Sequence, residues 1–129
     1  MAGQTIMIDT SILLDYYRKT DKENSVWIRL IREGFRFAIS SVTKYELYSG
    51  ATSLQVSFWD DVLKSLEVIS LDEASVDIAV EINAVLKKNR KQIDLADLFI
   101  AATAVSNGLP IATLNKKHFE RVDKIEIII

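Results

Sequence analysis

Three carboxylates in this sequence stand where chemistry needs them: Asp9, Glu46 and Asp97. Asp9 ends the short apolar run Thr5-Ile6-Met7-Ile8 and is followed by the hydroxyl pair Thr10-Ser11. Asp97 opens the almost wholly apolar segment Leu98-Phe99-Ile100-Ala101-Ala102-Thr103-Ala104. An acid at the rim of a deeply packed helix is costly unless it is paired or bound to a cation. Each acid also has a local explanation. Asp9 fits a helix N-cap. Thr43-Lys44-Tyr45-Glu46 fits a capping box, a pattern repeated at Thr52 to Gln55 and Ser70 to Glu73. Asp94 as cap with Asp97 three residues on is equally sound. The arrangement says more than any single acid. Carboxylates gathered at one place repel one another, and a divalent ion is the usual relief. Hard oxygen ligands favour Mg²⁺ or Mn²⁺, and a chain with no cysteine and one histidine has no typical zinc cluster. Such ions activate water and stabilise the charge that develops in phosphodiester hydrolysis.

The elements that must position these acids alternate between short apolar runs and helix-period segments. The pattern predicts strands at Thr5–Ile8, Phe35–Ile39, Val68–Leu71, Pro110–Thr113 and Ile125–Ile129, five in all. Helices are expected over Thr10–Lys19, Glu23–Glu33, Thr43–Gly50, Leu54–Leu66, the segment up to Leu86, and Leu95–Ser106. The last of these stops at Asn107-Gly108. Strands separated by helices imply parallel pairing with right-handed crossovers, hence an α/β/α domain of three layers. In such folds the working site lies at the carboxyl ends of the strands. That rule singles out the residues after Ile8, Ile39 and Thr113.

Composition sets outer bounds. The 129 residues suit one domain spanning 1–129, and 49% hydrophobic with 26% charged residues is an ordinary globular balance. The absence of cysteine fits a reducing cytoplasm. The amino terminus lacks the pattern of a signal peptide, and Ile6 to Leu14 is too short to span a membrane. A net charge of −2 argues against a generic cationic nucleic-acid binder but leaves room for a local basic patch. Lys87-Lys88-Asn89-Arg90-Lys91, together with Lys44, Lys116 and Lys117, is the candidate patch; a solvated helix end is the plainer reading of the Lys87–Lys91 run. Tyr16, Tyr17 and Trp27 are expected in the core.

Four segments, in order, carry a resemblance. They are Ile8-Asp9-Thr10-Ser11; Ile39-Ser40-Ser41-Val42-Thr43 with Glu46-Leu47 and Gly50; Asp97 to Ala104; and Pro110 to Thr113 with Asn115 and His118-Phe119. Together they resemble the PIN-domain ribonucleases, and within them the VapC-type toxins of toxin–antitoxin systems. The resemblance implies a parallel five-stranded sheet between helices and an Mg²⁺- or Mn²⁺-dependent endoribonuclease. It makes Asp9 and Asp97 the principal metal ligands, Glu46 the third acid and Asn115 the polar residue after the fourth strand. It implies an RNA substrate, a cognate antitoxin lying near the first two helices, and a homodimer. There is one departure: His118 stands where many such domains carry a further acid, which puts a second metal in question. Two other readings compete. A receiver-like signalling module would use Asp72 as phosphoacceptor but wants two adjacent acids after the first strand. A PIN scaffold without activity would bind only RNA or protein.

Overall fold

A computed structural model describes residues 3–129. The chain opens with β1 (Thr5–Ile8) and α1 (Thr10–Arg18), then a short 3-10 turn (Lys22–Asn24) and α2 (Val26–Arg32). It continues through β2 (Arg36–Ser40), α3 (Ser41–Ser49), α4 (Ser53–Leu63), β3 (Glu67–Ile69) and α5 (Glu73–Lys88). The last elements are α6 (Leu95–Ser106), β4 (Ile111–Ala112) and α7 (Lys116–Phe119). The helix expected over Glu23–Glu33 is divided, because Ser25 caps α2 by accepting from the Ile28 N–H. The stop at Asn107-Gly108 is where it was expected, with Gly108 at a φ of +65° that a side chain would disfavour.

The strands form one parallel sheet in the order β3-β2-β1-β4. Side chains alternate across it. Met7 and Ile111 join Ile82, Leu86, Leu98, Ala101 and Phe119 on one face, under α5, α6 and α7. Ile6, Ile8, Ile39 and Ala112 join Ile12, Leu13, Trp27, Leu30, Leu47 and Trp59 on the other. Central β1 is therefore buried on both sides, as its unbroken apolar run requires. The three-layer α/β/α architecture is thus the one expected from the alternation. Trp27 is core, packed edge-on against Tyr16.

The fifth strand is a correction. Ile125–Ile129 does not form a strand of its own but a single parallel bridge, Ile111 to Ile127, so among the described residues the sheet has four strands. Its cause lies in β4, which is two residues long. Pro110 has no N–H to extend it backward, and the chain leaves the sheet after Thr113. The tail still follows β4, with backbone bonds from Ile111 N to Glu126 O, Ile128 N to Ile111 O and Thr113 N to Ile129 O. Among the described residues no helix is long and apolar enough to cross a membrane.

In this strand order β1 sends its first crossover toward β2, whereas β4 lies on its other side. The carboxyl ends of β1 and β4 therefore flank the switch point where open α/β sheets place their ligands. Asp9 and Thr113 follow those two strand ends directly.

Candidate active site

Asp9 sits at that crevice as both strand end and helix cap. It is 3% exposed. One carboxylate oxygen accepts from the Ser11 hydroxyl at 2.5 Å and the Ile12 N–H at 3.4 Å; the other accepts from Thr113 Oγ1 at 2.6 Å. Capping α1 therefore does not use up this carboxylate, whose second oxygen reaches across to the end of β4. Burial raises the Asp9 pKa above its ordinary value despite the three donors, and the charge of Asp97 pushes it the same way. Asp97 is thus close enough to act electrostatically on Asp9. A buried acid that resists ionisation and faces a second acid is the setting in which a cation is held.

Asp97 lies in the first turn of α6, its side chain 14% exposed. Its Oδ2 accepts from Asn115 Nδ2 at 3.2 Å and lies 2.6 Å from His118 Nδ1. Asn115 in turn donates its backbone N–H to Thr113 Oγ1 at 2.9 Å. One chain of contacts therefore runs from Asp9 through Thr113 and Asn115 to Asp97. Ser11 extends it by accepting from the Leu114 N–H at 2.9 Å.

Glu46 joins from the other side. Helix α3 begins at Ser41 behind an N-cap at Ser40, so Thr43 lies inside the helix and the expected capping box does not form. Ser40 is a better cap because β2 hands directly into α3 there, with no loop between them. Glu46 is instead reached by Thr10 Oγ1 at 2.5 Å, with buried Thr43 Oγ1 a further neighbour of Thr10 at 3.3 Å. Thr10 follows Asp9, so the third acid is tied to the first across two helix starts. The box at Thr52 and Gln55 does form. The one at Ser70 does not, because Asp72 takes the cap of α5 and accepts from the Ser75 N–H. That bond holds the Asp72 carboxyl below its ordinary pKa. Asp72 thus serves as the N-cap of α5.

The structure thus brings Asp9, Asp97 and Asn115 into one contact network and sets Glu46 beside it through Thr10. Two participants were underrated by their sequence context. Thr113 ends a strand like any hydroxyl residue, and only its pairing partner 104 residues away reveals it. His118 stood out in the sequence only as the residue in place of a further acid. It lies within α7, faces Asp97, and with Asp94 and Asp97 forms a group whose ligand atoms lie within 4.8 Å of one another.

This geometry agrees with what the sequence resembles. The chain matches the PIN domain over residues 6–125. It is 36% identical over 118 residues to Ribonuclease VapC1 of Methanocaldococcus jannaschii, covering 91% of this chain and 80% of that protein. The chain belongs to the PIN-domain family, among the VapC-type ribonucleases. A second relative, the tRNA(fMet)-specific endonuclease VapC of Shigella flexneri, is 31% identical over 121 residues and covers 90% of each chain. The crystal structure of DNA-bound VapBC from Salmonella typhimurium superposes with a TM-score of 0.83 at 25% identity, covering 97% of this chain and 96% of that one. The enzyme class expected from the four PIN segments, an endoribonuclease, is the one this VapC-type membership gives.

Proposed function

We propose that this VapC-type PIN domain is a single-domain, divalent-metal-dependent cytoplasmic endoribonuclease and the toxin of a toxin–antitoxin pair. The observation that carries the reading is Asp9, a buried carboxylate at the sheet's switch point whose burial and neighbouring acid both oppose its charge. The donor set fits a hard divalent ion: carboxylates from a strand end and two helices, with no thiolate. Asp9, Asp97 and Glu46 are the residues that would hold Mg²⁺ or Mn²⁺. When bound, the ion supplies Lewis acidity toward water and the scissile phosphate.

The chain's own contribution is positioning. Ser11, Thr113 and the Ile12 N–H fix the Asp9 carboxylate, Asn115 fixes Asp97, and Thr10 fixes Glu46. The exposed Lys44, Lys116 and Lys117 offer cations to an RNA backbone, a contact that weakens with salt. A groove beside Glu46, lined by Leu14, Tyr17, Gln55 and Trp59, is the surface we assign to the antitoxin, and the family resemblance implies a homodimer. The test is cleavage of total RNA with and without Mg²⁺ or Mn²⁺. Asp97→Asn should keep the fold and lose at least about 100-fold in rate, and Glu46→Gln should lose less. Metal-independent cleavage, or an active Asp97→Asn, would refute the nuclease reading. A folded chain that binds RNA but never cleaves it would favour the inactive scaffold.

A further inference from the structure

Two segments, 87–91 and 116–124, hold eight of the chain's 16 lysines and arginines against two acids, Glu120 and Asp123. The fold lays them side by side. Arg121 Nη1 donates to the Gln92 carbonyl at 3.0 Å, which ties the loop after α7 to the loop between α5 and α6. Among the described residues, only Lys124 of these eight has a carboxylate within reach, Glu81 at 3.8 Å. The other seven stand exposed on a chain whose net charge is −2.

Helix ends explain part of this charge and no more. Lys87 and Lys88 lie in the last turn of α5, where the dipole favours cations. Arg90 and Lys91 lie beyond that helix. Lys116 and Lys117 open α7, the end at which a dipole opposes positive charge. Arg90 also has a φ of +55°, a conformation that glycine adopts most easily. Two bonds close α5 around it, from the Arg90 N–H to the Lys87 carbonyl at 3.1 Å and from the Lys91 N–H to the Leu86 carbonyl at 2.8 Å. The turn thus holds an arginine where a glycine would fold with less strain. Both groups of cations border the acids. Lys91 precedes Asp94 by three residues, and Lys116 and Lys117 stand between Asn115 and His118, which both contact Asp97. Clustered carboxylates repel a phosphodiester, so its attraction must come from cations beside them.

We propose that Arg90, Lys91 and Arg121, continuous with Lys116 and Lys117, form a track for the RNA phosphate backbone. The track leads from Asp97 past α7 to the end of α5. This rests on the ribonuclease reading above and assigns the side on which the strand meets the acids. The contacts are to phosphate, so they set affinity and path, not base preference.

The experiment is fluorescence anisotropy of a labelled oligouridylate, in a chelator that prevents cleavage, over a range of KCl concentrations. Arg90→Gly, Lys91→Gln and Arg121→Gln are combined. Each phosphate contact on a single strand contributes about 0.7 to the slope of log K against log salt. The triple variant should therefore lose about 2 from the slope and at least about tenfold in affinity at low salt. Arg90→Gly alone should lose about 0.7, and it relaxes the turn, so the test survives poor folding of the triple variant. A charge-matched control combines Arg29→Gln, Arg36→Gln and Lys64→Gln and should keep the wild-type slope. Arg36 opens β2, and the other two lie on helices that run to the amino ends of β2 and β3, away from the acids. A triple variant that matches wild type, or a control that falls equally, would overturn the track. So would unchanged RNA binding with a lost affinity for polyglutamate, which would mark the face as that of an acidic protein partner. Binding is read without metal, so a wild-type chain that binds with the expected slope yet never cleaves would sink the nuclease reading and leave the track standing.

Discussion

Replacing Asp9 by Asn should make the metal-free protein more stable at neutral pH while abolishing its activity. The carboxylate is 3% exposed, and burial outweighs its three donors, so its native pKa is raised above 3.8. In the unfolded chain the same carboxyl ionises at its ordinary pKa. Between that value and the raised native one, the native state holds more proton than the unfolded state. Stability at this position is therefore fully present below the ordinary pKa and is lost as pH rises through the native one. An Asn removes the penalty and keeps most contacts. Its oxygen still accepts from Ser11 and the Ile12 N–H, while its amide donates to Thr113 Oγ1, whose own proton then lacks a partner. Offsetting that loss, the net gain at about pH 7.5 is about 1–3 kcal/mol, a rise in Tm of about 4–12 °C for a domain of this size. At about pH 3.5, where the native carboxyl is already neutral, the gain should largely vanish. Thermal unfolding in a chelator at the two pH values measures both. Adding Mn²⁺ should raise the wild-type Tm more than that of Asp9→Asn. An Asp9→Asn protein less stable than wild type at neutral pH, or one whose gain ignores pH, would show that desolvation does not dominate at this residue.

Two further substitutions probe the frame around the acids. Thr113→Val keeps the volume of a residue that is 1% exposed but removes the donor to Asp9 and the acceptor of the Asn115 N–H. It should cost about 2–4 kcal/mol by urea unfolding, with Thr113→Ser recovering most of it. Thr10→Val releases Glu46 from its bond to Thr10 and should change stability by less than about 1 kcal/mol. Cleavage kcat should fall about tenfold with KM little changed, the signature of a positioning role. An unchanged kcat would remove Thr10 from the site.

What the sequence reveals most clearly is whatever depends on local pattern. The apolar run of β1, the cap of α4 and the stop at Gly108 are each decided by a few neighbouring residues, and each lies where expected. The capping box at Thr43 fails for a tertiary reason. Strand β2 runs straight into α3, which starts the helix two residues early and turns Glu46 toward Thr10. The last strand fails because pairing length is set by its neighbour β4, not by the five apolar and charged residues of the tail. At the site, Asp9 and Asp97 were legible because an acid against a long apolar segment needs an explanation. The partners of Thr113 and His118 were not, since nothing near them in the chain announces contacts with β1 and α6.

The bond between Asp9 and Thr113 joins residues 104 positions apart. During synthesis Asp9 emerges early, α6 brings Asp97 much later, and β4 arrives only near the end. Chains grow residue by residue from the amino terminus, and contacts of such long sequence separation close last. A growing chain thus carries the strand-end acid without the hydroxyl that fixes it or the Asn115 that orders Asp97. The contact network around Asp9 and Asp97 therefore closes only when β4 docks beside β1, which makes the candidate site one of the last parts of the molecule to assemble.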